Sequence, residues 1–358
     1  MRVLLTGASG FVGSHVLRHL LSTTDWEVVC PTTFAHKGLP ARIESAVCDQ
    51  AWRDRVTVVH WDMRSYADLF TRRKIGQIDV IMNIASESHV DRSITTPVPF
   101  IENNVQLMLR VLELARTLKP KIFLQMSTDE VYGPAAVGDD HREWAPILPS
   151  NPYSASKAAQ EAIAIAYWRT YGVPVVITNT MNIIGEMQDP EKFVPMIIRR
   201  LSAGESVQVH VGPSGTPGSR FYLHARNLAD AWVYLTKIYT EKIEVTRLKD
   251  AEPRFLISGP PAYPRAQRPA RYNIVGETEI NNVEMVHLIG NMMGLDHYEV
   301  DEMIEPISFH ASRPGHDLRY ALDGTKIEEI GWQAPVQFWE SLDHTVKWTI
   351  EHPEWLDV

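Results

Sequence analysis

The sequence predicts an α/β fold with a doubly wound parallel sheet, followed by a smaller C-terminal lobe. In the first half, short β-rich runs alternate with helical patterns, which is typical of a parallel sheet covered by helices on both faces. The runs are apolar at nearly every position, as expected for strands buried on both sides. At 358 residues the chain is long enough for one large domain with an additional lobe.

Six strands are predicted in the first half. They cover residues 3–6, 28–30, 56–60, 80–84, 122–127 and 173–178. The helices predicted between them lie at 13–22, 99–118 and 152–171. The last of these begins with Asn151 as its cap and Pro152 at its first position.

Beyond about residue 180 the pattern is less regular. Helical patterns, separated by segments rich in proline and glycine, lie at 195–203, 225–239 and 282–293. We expect residues 1–180 to form the sheet domain, with parts of later segments returning to it, and residues 181–358 to form the smaller lobe. The proline-rich stretch 241–271 is expected to be a surface insertion, with a lid or a subunit contact as the alternatives.

Composition excludes several classes of partner. The net charge of −9 makes the surface mildly acidic, which disfavours nonspecific attraction to nucleic acid or to an anionic membrane. Cys30 and Cys48 are too few for a disulfide framework or a zinc site, and we expect unreactive thiols in a reducing compartment. No secretory signal or membrane-spanning run is found, so the expected location is the cytoplasm.

A glycine-rich turn joins the first predicted strand to the first helix. It contains Gly7, Gly10 and Gly13, with Phe11 and Val12 before the last glycine. The first two glycines let the backbone approach a pyrophosphate, the third lets helix and strand pack closely, and the helix N-terminus attracts the anion. The turn therefore predicts a Rossmann-type sheet that binds a dinucleotide, with a turn serving packing alone as the alternative.

The choice of dinucleotide stays open at the end of the second strand. An acidic residue there usually holds the hydroxyls of the adenosine ribose, but this chain has Thr32 and Thr33. Without a carboxylate a 2′-phosphate is not repelled, and the two threonines, His36 or Lys37 could receive it. Both NAD and NADP are compatible with the sequence.

Tyr153 and Lys157 are four positions apart in a predicted helix and therefore share one of its faces. An ammonium group near a phenol favours the phenolate and is expected to lower the pKa of the tyrosine toward that of a working base. Together with the glycine turn, the pair predicts a short-chain dehydrogenase.

Adjacent carboxyls follow the strand predicted at 122–127. Asp129 and Glu130 come directly after Thr128, at the carboxyl end of the strand, where open α/β sheets bind their ligands. A solvated turn or a helix cap is the alternative reading. A functional pair offers one acid and one base, which is what the elimination of water from a sugar requires.

With these segments, the chain resembles the dTDP-glucose 4,6-dehydratase family of extended short-chain dehydrogenases over nearly its whole length. Several matches are specific to dehydratases, since related epimerases and decarboxylases generally lack the adjacent Asp and Glu. The matching segments are the glycine turn, residues 85–94, Thr128-Asp129-Glu130, Tyr153 with Lys157, Pro190-Glu191-Lys192 and Arg313-Pro314-Gly315-His316-Asp317.

The resemblance implies an internal oxidation and reduction on a nucleotide-diphosphate hexose. Tyr153 would take the proton of the sugar 4-hydroxyl while hydride passes to the nicotinamide, with Lys157 tuning it and Thr128 bonding the 4-oxygen. The 4-ketone would acidify the proton on carbon 5, which Glu130 removes as Asp129 protonates the leaving 6-hydroxyl. Hydride then returns to carbon 6, so NAD, the first choice by family, would not be consumed.

The resemblance also implies binding residues, and no metal site is predicted. For the cofactor they are the glycine turn, Thr32, Asp62 and Met63 near the adenine, and Ala85 and Asn104 near the nicotinamide, with Tyr153 and Lys157. For the substrate they are Ser88, His89, Asn182, Lys192, Arg220, Asn282, Arg313 and His316. Residues 208–210 and the 241–271 insertion depart from the family pattern, which leaves the nucleobase open.

Further expectations concern assembly and competing functions. The family pairs the helices at 99–118 and 152–171 into a four-helix bundle between subunits, so a homodimer is expected. The apolar residues assigned to that bundle are Leu107, Leu109, Val111, Leu112, Ile163, Ile165 and Tyr167. An epimerase of the same fold and a noncatalytic dinucleotide-binding protein are the competing functions.

Overall fold

The computed structural model describes residues 1–212, 214–241, 268–308 and 318–357. The strands are β1 Arg2–Thr6, β2 Glu27–Thr32, β3 Val56–His60, β4 Val80–Asn83, β5 Ile122–Thr128, β6 Val175–Thr180, β7 Asn182–Ile184, β8 Val207–Val211, β9 Ser219–His224, β10 Ala270–Ile274, β11 Glu279–Asn281 and β12 Ile304–Ser308. The helices are α1 Phe11–Thr23, α2 Pro40–Ala46, α3 Gln50–Arg53, α4 Leu69–Ile75, α5 Val90–Thr95, α6 Pro97–Leu118, α7 Pro152–Tyr171, α8 Phe193–Ser202, α9 Ala225–Glu241, α10 Asn282–Met292, α11 His297–Met303, α12 Thr325–Glu329 and α13 Phe338–Glu351. Short 3-10 helices cover Asp129–Tyr132 and Pro353–Leu356.

The central sheet confirms the predicted fold class. Its seven described strands run in the order β10-β6-β5-β4-β1-β2-β3, and every neighbouring pair is parallel. All six predicted strands are present, within a few residues of their predicted ends. Their alternate residues face separate cores, one beneath α1 and α9 and the other beneath α6 and α7. This burial on both faces explains the continuous apolar runs.

The seventh strand, β10, was not predicted. Both ends of the stretch predicted as an insertion belong to regular elements, because Glu241 closes α9 and Ala270 opens β10. Arg271 is fully buried and binds Glu161 of α7 through its Nη2, at 2.6 Å from Oε2. The prediction of an insertion was therefore wrong at these ends, while residues 242–267 lie outside the described residues.

The later segments build smaller sheets beside the carboxyl ends of the central strands. One contains β11, β9 and β7, and another pairs β12 with β8. Helices α8, α10 and α13 enclose a separate apolar core with these strands. Within the described ranges, no helix combines the length and the apolar character that crossing a membrane would need.

Candidate active site

The glycine turn has the geometry of a phosphate cradle. Gly7 has a φ of 76°, in the left-handed region, and its carbonyl accepts a hydrogen bond of 2.9 Å from the Gly10 amide. A Cβ on Gly13 would lie 1.9 Å from that same carbonyl oxygen, so only glycine fits there. Among the described residues, no side chain caps the amides that begin α1. The turn thus leaves free backbone donors at a positive helix end, which fits a pyrophosphate.

A cleft extends from this turn along the carboxyl ends of the central strands. It brings together most residues predicted for the cofactor and two predicted for the substrate. They are Gly7, Gly10, Phe11, Val12, Gly13, Thr32, Asp62, Met63, Ala85, Ser88, Tyr153, Lys157 and Lys192. Residues separated by almost the whole first domain therefore share one surface.

Asn104 stands behind this cleft and does not line it. It is fully buried in α6, where its Nδ2 donates to the carbonyl of Glu87 at 3.0 Å and its Oδ1 accepts from the Glu87 amide at 2.8 Å. The same Nδ2 also donates to Ser156 Oγ at 2.8 Å. Asn104 therefore fixes the loop that carries Ala85 and Ser88, and the predicted direct contact with the cofactor is replaced by this indirect one.

Asp129 and Glu130 begin the 3-10 helix at the end of β5. Asp129 is 3% exposed, and its Oδ1 accepts from the Thr128 hydroxyl at 2.8 Å and from the Glu130 amide at 3.0 Å. Its buried Oδ2 has no hydrogen-bond partner among the described residues. A carboxyl held on one oxygen and bare on the other is available to exchange a proton with a ligand.

Asn151 links Glu130 to the start of α7. Its Oδ1 accepts from the Ser154 amide at 2.9 Å, which is the helix cap predicted from the sequence. Its Nδ2 donates to Glu130 Oε2 at 3.1 Å. The sequence identified the cap but missed this second contact, which fixes Glu130 relative to Tyr153 two positions further along.

The two carboxyls bind protons more tightly than exposed ones. Burial raises the pKa of Asp129 to about 6. Burial, and then the charge of Asp129, raise the pKa of Glu130 to about 7. The positive charge of Arg220 opposes the shift at both, and Asn151 opposes it at Glu130. Near neutral pH the pair can therefore both give and accept a proton.

The pairing of Tyr153 with Lys157 differs from the prediction. Lys157 Nζ donates to the Met126 carbonyl at 2.8 Å and to Gln160 Oε1 at 2.7 Å. Burial, and then the charge of Glu130, raise the pKa of the Tyr153 phenol, although its hydrogen bond with Thr128 lowers it. The expected lowering was wrong for the chain alone, because burial and the neighbouring carboxylates outweigh an ammonium directed toward other acceptors.

The remaining predicted substrate residues form a less compact set. Arg220 is 4% exposed, and a Cβ on Gly218 would lie 3.7 Å from its Nη1 and 3.3 Å from Nδ2 of Asn282, so both flank Gly218. His89 caps α5 by accepting from the Arg92 amide at 3.2 Å. Asn182 is exposed in β7. Arg313 and His316 lie outside the described residues.

The segment 185–192 crosses the cleft and is fixed at both ends. Glu186 contacts three histidines, with its Oε2 at 3.2 Å from His224 and 3.6 Å from His15, and its Oε1 at 2.6 Å from His344. At the other end, Lys192 Nζ donates to the Ser88 carbonyl at 2.9 Å. No sequence pattern indicated the histidine cluster, because its members come from four separate segments.

The raised pKa of Glu130 has a consequence for stability. A glutamate in an unfolded chain titrates at about 4.3, whereas in the folded chain the pKa of Glu130 is about 7. The stabilisation from its protonation is therefore complete at low pH and is lost as the pH rises through about 7. We expect Glu130→Gln to raise Tm by a few degrees near pH 8 and by less near pH 5.

Thermal unfolding followed by circular dichroism measures this difference. Glu302→Gln, at an exposed position of α11, is the matched control and should leave Tm unchanged at both pH values. The same Tm gain for Glu130→Gln at both pH values would contradict a raised pKa.

Known proteins resemble this chain over its whole length. The NAD dependent epimerase/dehydratase family model matches residues 3–244. The dTDP-glucose 4,6-dehydratase of Salmonella typhimurium is 32% identical, over 100% of this chain and 95% of that protein. The low-salt glycan biosynthesis protein Agl12 of Haloferax volcanii is also 32% identical, over 99% of this chain and 100% of its own length.

Solved structures resemble it too. DesIV, a dTDP-glucose 4,6-dehydratase from Streptomyces venezuelae solved with NAD bound, superposes with a TM-score of 0.81 at 31% identity, covering 99% of this chain and 98% of DesIV. The dTDP-glucose 4,6-dehydratase of Bacillus anthracis, solved in complex with NAD, gives 0.78 at 27% identity, covering 100% and 99%. With the glycine cradle and the buried carboxyl pair, these matches lead to one conclusion: the chain belongs to the NAD dependent epimerase/dehydratase family and, within it, to the dTDP-glucose 4,6-dehydratases.

Proposed function

We propose that this protein is an NAD-dependent nucleotide-sugar 4,6-dehydratase. It converts a nucleotide-diphosphate hexose, of the dTDP-glucose type, to the 4-keto-6-deoxy sugar with loss of water. The observation that carries the proposal is the pair of adjacent buried carboxyls, both with raised pKa, next to Tyr153, which itself lines the dinucleotide cleft. An epimerase needs a tyrosine but has no step that uses an acid and a base side by side.

The residues of the cleft fit NAD. The glycine turn would hold its pyrophosphate, Thr32, Asp62 and Met63 its adenosine, and Ala85, Tyr153 and Lys157 its nicotinamide ribose. Bound there, NAD would accept the hydride from sugar carbon 4 and would return it to carbon 6. Because nothing is consumed over the cycle, we expect NAD to copurify with the protein.

The first step assigned to the chain removes the proton of the 4-hydroxyl. Tyr153 takes this proton, and Thr128, bonded to it, orients the 4-oxygen. In the chain without ligands, the pKa of the Tyr153 phenol is raised. Binding of the cofactor and the substrate must therefore lower this pKa before Tyr153 can act as a base. Lys157, whose pKa burial lowers to about 8, can contribute by turning from the Met126 carbonyl toward the ribose and the phenol.

Elimination then uses the carboxyl pair. One carboxylate takes the proton from carbon 5, which the neighbouring ketone has made acidic, and the other carboxylic acid protonates the 6-hydroxyl as it leaves as water. The family resemblance assigns the first role to Glu130 and the second to Asp129. Burial raises the pKa of both carboxyls, so either one can hold a proton near neutral pH and the division of roles needs a direct test.

Arg220 and Asn282 are assigned to the substrate diphosphate. They flank Gly218 at the entrance of the smaller lobe, and Arg220 lies close enough to Asp129 and Glu130 to affect the pKa of both. A guanidinium group suits a diphosphate because it donates parallel hydrogen bonds. We propose that residues 1–180 hold the cofactor and that residues 181–358 hold the sugar nucleotide, with β10 returning to the central sheet.

Product analysis tests the function. The purified protein is incubated with a panel of nucleotide-activated hexoses, and the products are weighed by mass spectrometry. A dehydratase gives a product lighter by one water, an epimerase gives an isomer of equal mass, and a noncatalytic protein gives no product. Loss of water with none of the hexoses would contradict the proposal.

We also propose a homodimer built from α6 and α7, which pack side by side. Of the apolar residues assigned to the contact, Val111 and Leu112 are fully buried in the core of the chain itself, so they were assigned wrongly. The others remain partly exposed, and they are Leu107, Leu109, Ile163, Ile165 and Tyr167.

A charge at the proposed contact should dissociate the dimer. Ala166 is exposed on α7, between Ile163 and Tyr167, and Ala166→Glu would place two carboxylates against each other across a two-fold contact. We expect the variant to sediment as a monomer at micromolar concentration, whereas the parent protein sediments as a dimer. Ser202→Glu, exposed on α8, is the control and should remain dimeric. A monomeric parent protein would contradict the proposal.

The cytoplasm is the proposed location. Both cysteines are unpaired, and burial raises the pKa of the Cys30 thiol to about 12, so this thiol stays protonated and unreactive. Free thiols of this kind are typical of a reducing compartment.

A further inference from the structure

The adenosine end of the cleft is built without the carboxylate that selects NAD. Thr32 occupies the last position of β2 and is 4% exposed. Its Oγ1 lies 2.9 Å from the Ser9 hydroxyl and accepts from the Phe34 amide at 3.0 Å. The hydroxyl is therefore part of a neutral hydrogen-bonded group beside the glycine turn. In dinucleotide sites, an acid at this place bonds the ribose hydroxyls and repels a 2′-phosphate.

The loop after β2 is held against the glycine turn. The Leu39 amide donates to the Ser9 carbonyl at 2.9 Å, and the Gly38 amide donates to the Ala35 carbonyl at 3.0 Å. Phe34 and His36 both have positive φ, of 52° and 53°, which folds the loop back on itself. Its side chains are thereby brought to the cleft, which Thr33, His36 and Lys37 all line.

The charge at this end of the cleft is positive. Two carboxylates at this end are already paired, Asp62 with Arg64 at 2.7 Å and Asp189 with Lys37 at 2.8 Å. Asp189 has a second cation, the fully buried Arg42, at 3.3 Å. Around the whole cleft, six lysine and arginine side chains stand against four carboxylates, one of which, Glu87, lies close enough to Arg64 to affect its pKa. His36 faces Asp62 closely enough to affect the pKa of that carboxyl. Lys37 and Arg64 are the exposed members of the group, with 40% and 53% of their side chains accessible.

We propose that this site accepts the 2′-phosphate of NADP as well as the 2′-hydroxyl of NAD, with the hydroxyls of Thr32 and Thr33 and the side chain of Lys37 as its receptors. Hydroxyl groups and an ammonium donate to phosphate oxygens, and the surplus positive charge offsets the cost of bringing in a dianion. The inference rests on the proposed function only in assuming that the cleft holds a nicotinamide dinucleotide.

Binding of the two cofactors to the full chain tests the proposal. The protein is freed of bound cofactor, and NAD and NADP are titrated separately by isothermal calorimetry and by tryptophan fluorescence, to which Trp61 in the cleft contributes. We expect the two Kd values to lie within roughly tenfold of each other, and that of NADP to rise more steeply with salt. Binding of NADP more than about a hundredfold weaker than that of NAD would overturn the inference.

Variants test whether Thr32 and Lys37 determine the affinity for NADP. Thr32→Asp restores the missing acid and should raise the ratio of the NADP Kd to the NAD Kd by roughly tenfold or more, because the carboxylate repels the phosphate but not a 2′-hydroxyl. Lys37→Ala should weaken only NADP, since it removes a cation and frees Asp189, whereas Lys37→Arg should not. Lys121→Ala is the control. This exposed lysine pairs with Asp79 at the amino ends of β5 and β4, the opposite end of the sheet from the cleft. Equal losses for both cofactors in Lys37→Ala would contradict a phosphate-specific role.

The binding outcomes are independent of the dehydratase assay. Loss of water, together with binding of NADP more than about a hundredfold weaker than that of NAD, would leave the function intact and refute the inference. Comparable binding of the two cofactors without loss of water would support the inference and refute the function.

Discussion

Replacing Tyr153 with phenylalanine is expected to lower the rate of dehydration by roughly 10³-fold, within the range for loss of a positioned acid or base. The phenol is the group that would take the proton of the 4-hydroxyl, and without it the first oxidation cannot begin. The substitution should leave the fold intact, because the ring keeps its edge-on contact with Phe100, at a centroid distance of 6.2 Å, and the backbone keeps its bond to Ser93 Oγ.

Measurement in a single turnover identifies the step. With Tyr153→Phe and saturating substrate, the absorbance of the nicotinamide should stay that of the oxidised form, and no deuterium from solvent should enter carbon 5. Tyr167→Phe is the matched control, since it removes a phenol of the same helix that donates to Glu113 at 2.7 Å, outside the cleft. It should keep full activity. If Tyr153→Phe retained more than about a tenth of the parent rate, the tyrosine would not be the base.

The fold was largely predictable because its strands are buried on both faces. Such strands are recognisable as unbroken apolar runs, and strands consecutive in sequence are also neighbours in the sheet within β1 to β3 and within β4 to β6. The exception, β10, contains Arg271 and Asn273 among its five residues, and both are fully buried. Arg271 donates to Glu161, and Asn273 donates through its Nδ2 to the carbonyls of His141 and Asp323. From the sequence alone, a buried arginine of this kind cannot be distinguished from a surface arginine, because its partners are not yet known.

The candidate site was predictable where one short segment carries the chemistry. The glycine turn and the sequence Thr128-Asp129-Glu130 each lie at the carboxyl end of a single strand, so the position of these residues in the sequence is enough to place them. The contacts of Asn151 with Glu130 and of Glu186 with its histidines join distant segments, and no local pattern encodes them. The prediction that the pKa of Tyr153 is lowered was wrong for the same reason. Spacing predicted a nearby ammonium, whereas burial and the carboxylates of another element decide the pKa.

The largest remaining effects are expected at the carboxyl pair, where single substitutions should separate the two proton transfers. Asp129→Asn removes the acid for the leaving hydroxyl and should slow dehydration by roughly 10²–10⁴-fold. The first oxidation should persist in this variant, because Tyr153 and Thr128 are untouched. Deuterium from solvent should still enter carbon 5, because Glu130 can continue to remove and return that proton.

Glu130→Gln should slow dehydration by a similar factor and, in addition, suppress the entry of deuterium at carbon 5. The amide keeps the size of the side chain and its bond with Asn151, so the loss is specific to proton transfer. Deuterium exchange is measured by mass spectrometry of recovered sugar nucleotide after quenching, and the oxidised and reduced nicotinamide are followed by absorbance. Glu302→Gln, already the control for stability, should match the parent enzyme in both measurements.

The opposite pattern has a definite meaning. If Asp129→Asn abolished exchange and Glu130→Gln preserved it, Asp129 would be the base that acts on carbon 5, which the raised pKa of both carboxyls also allows. The pair would still perform the elimination, with acid and base exchanged. Near-parental dehydration by both variants would instead leave the carboxyls without a catalytic role. In that case their burial and raised pKa would be consequences of the fold, and the dehydratase proposal would lose the observation that carries it.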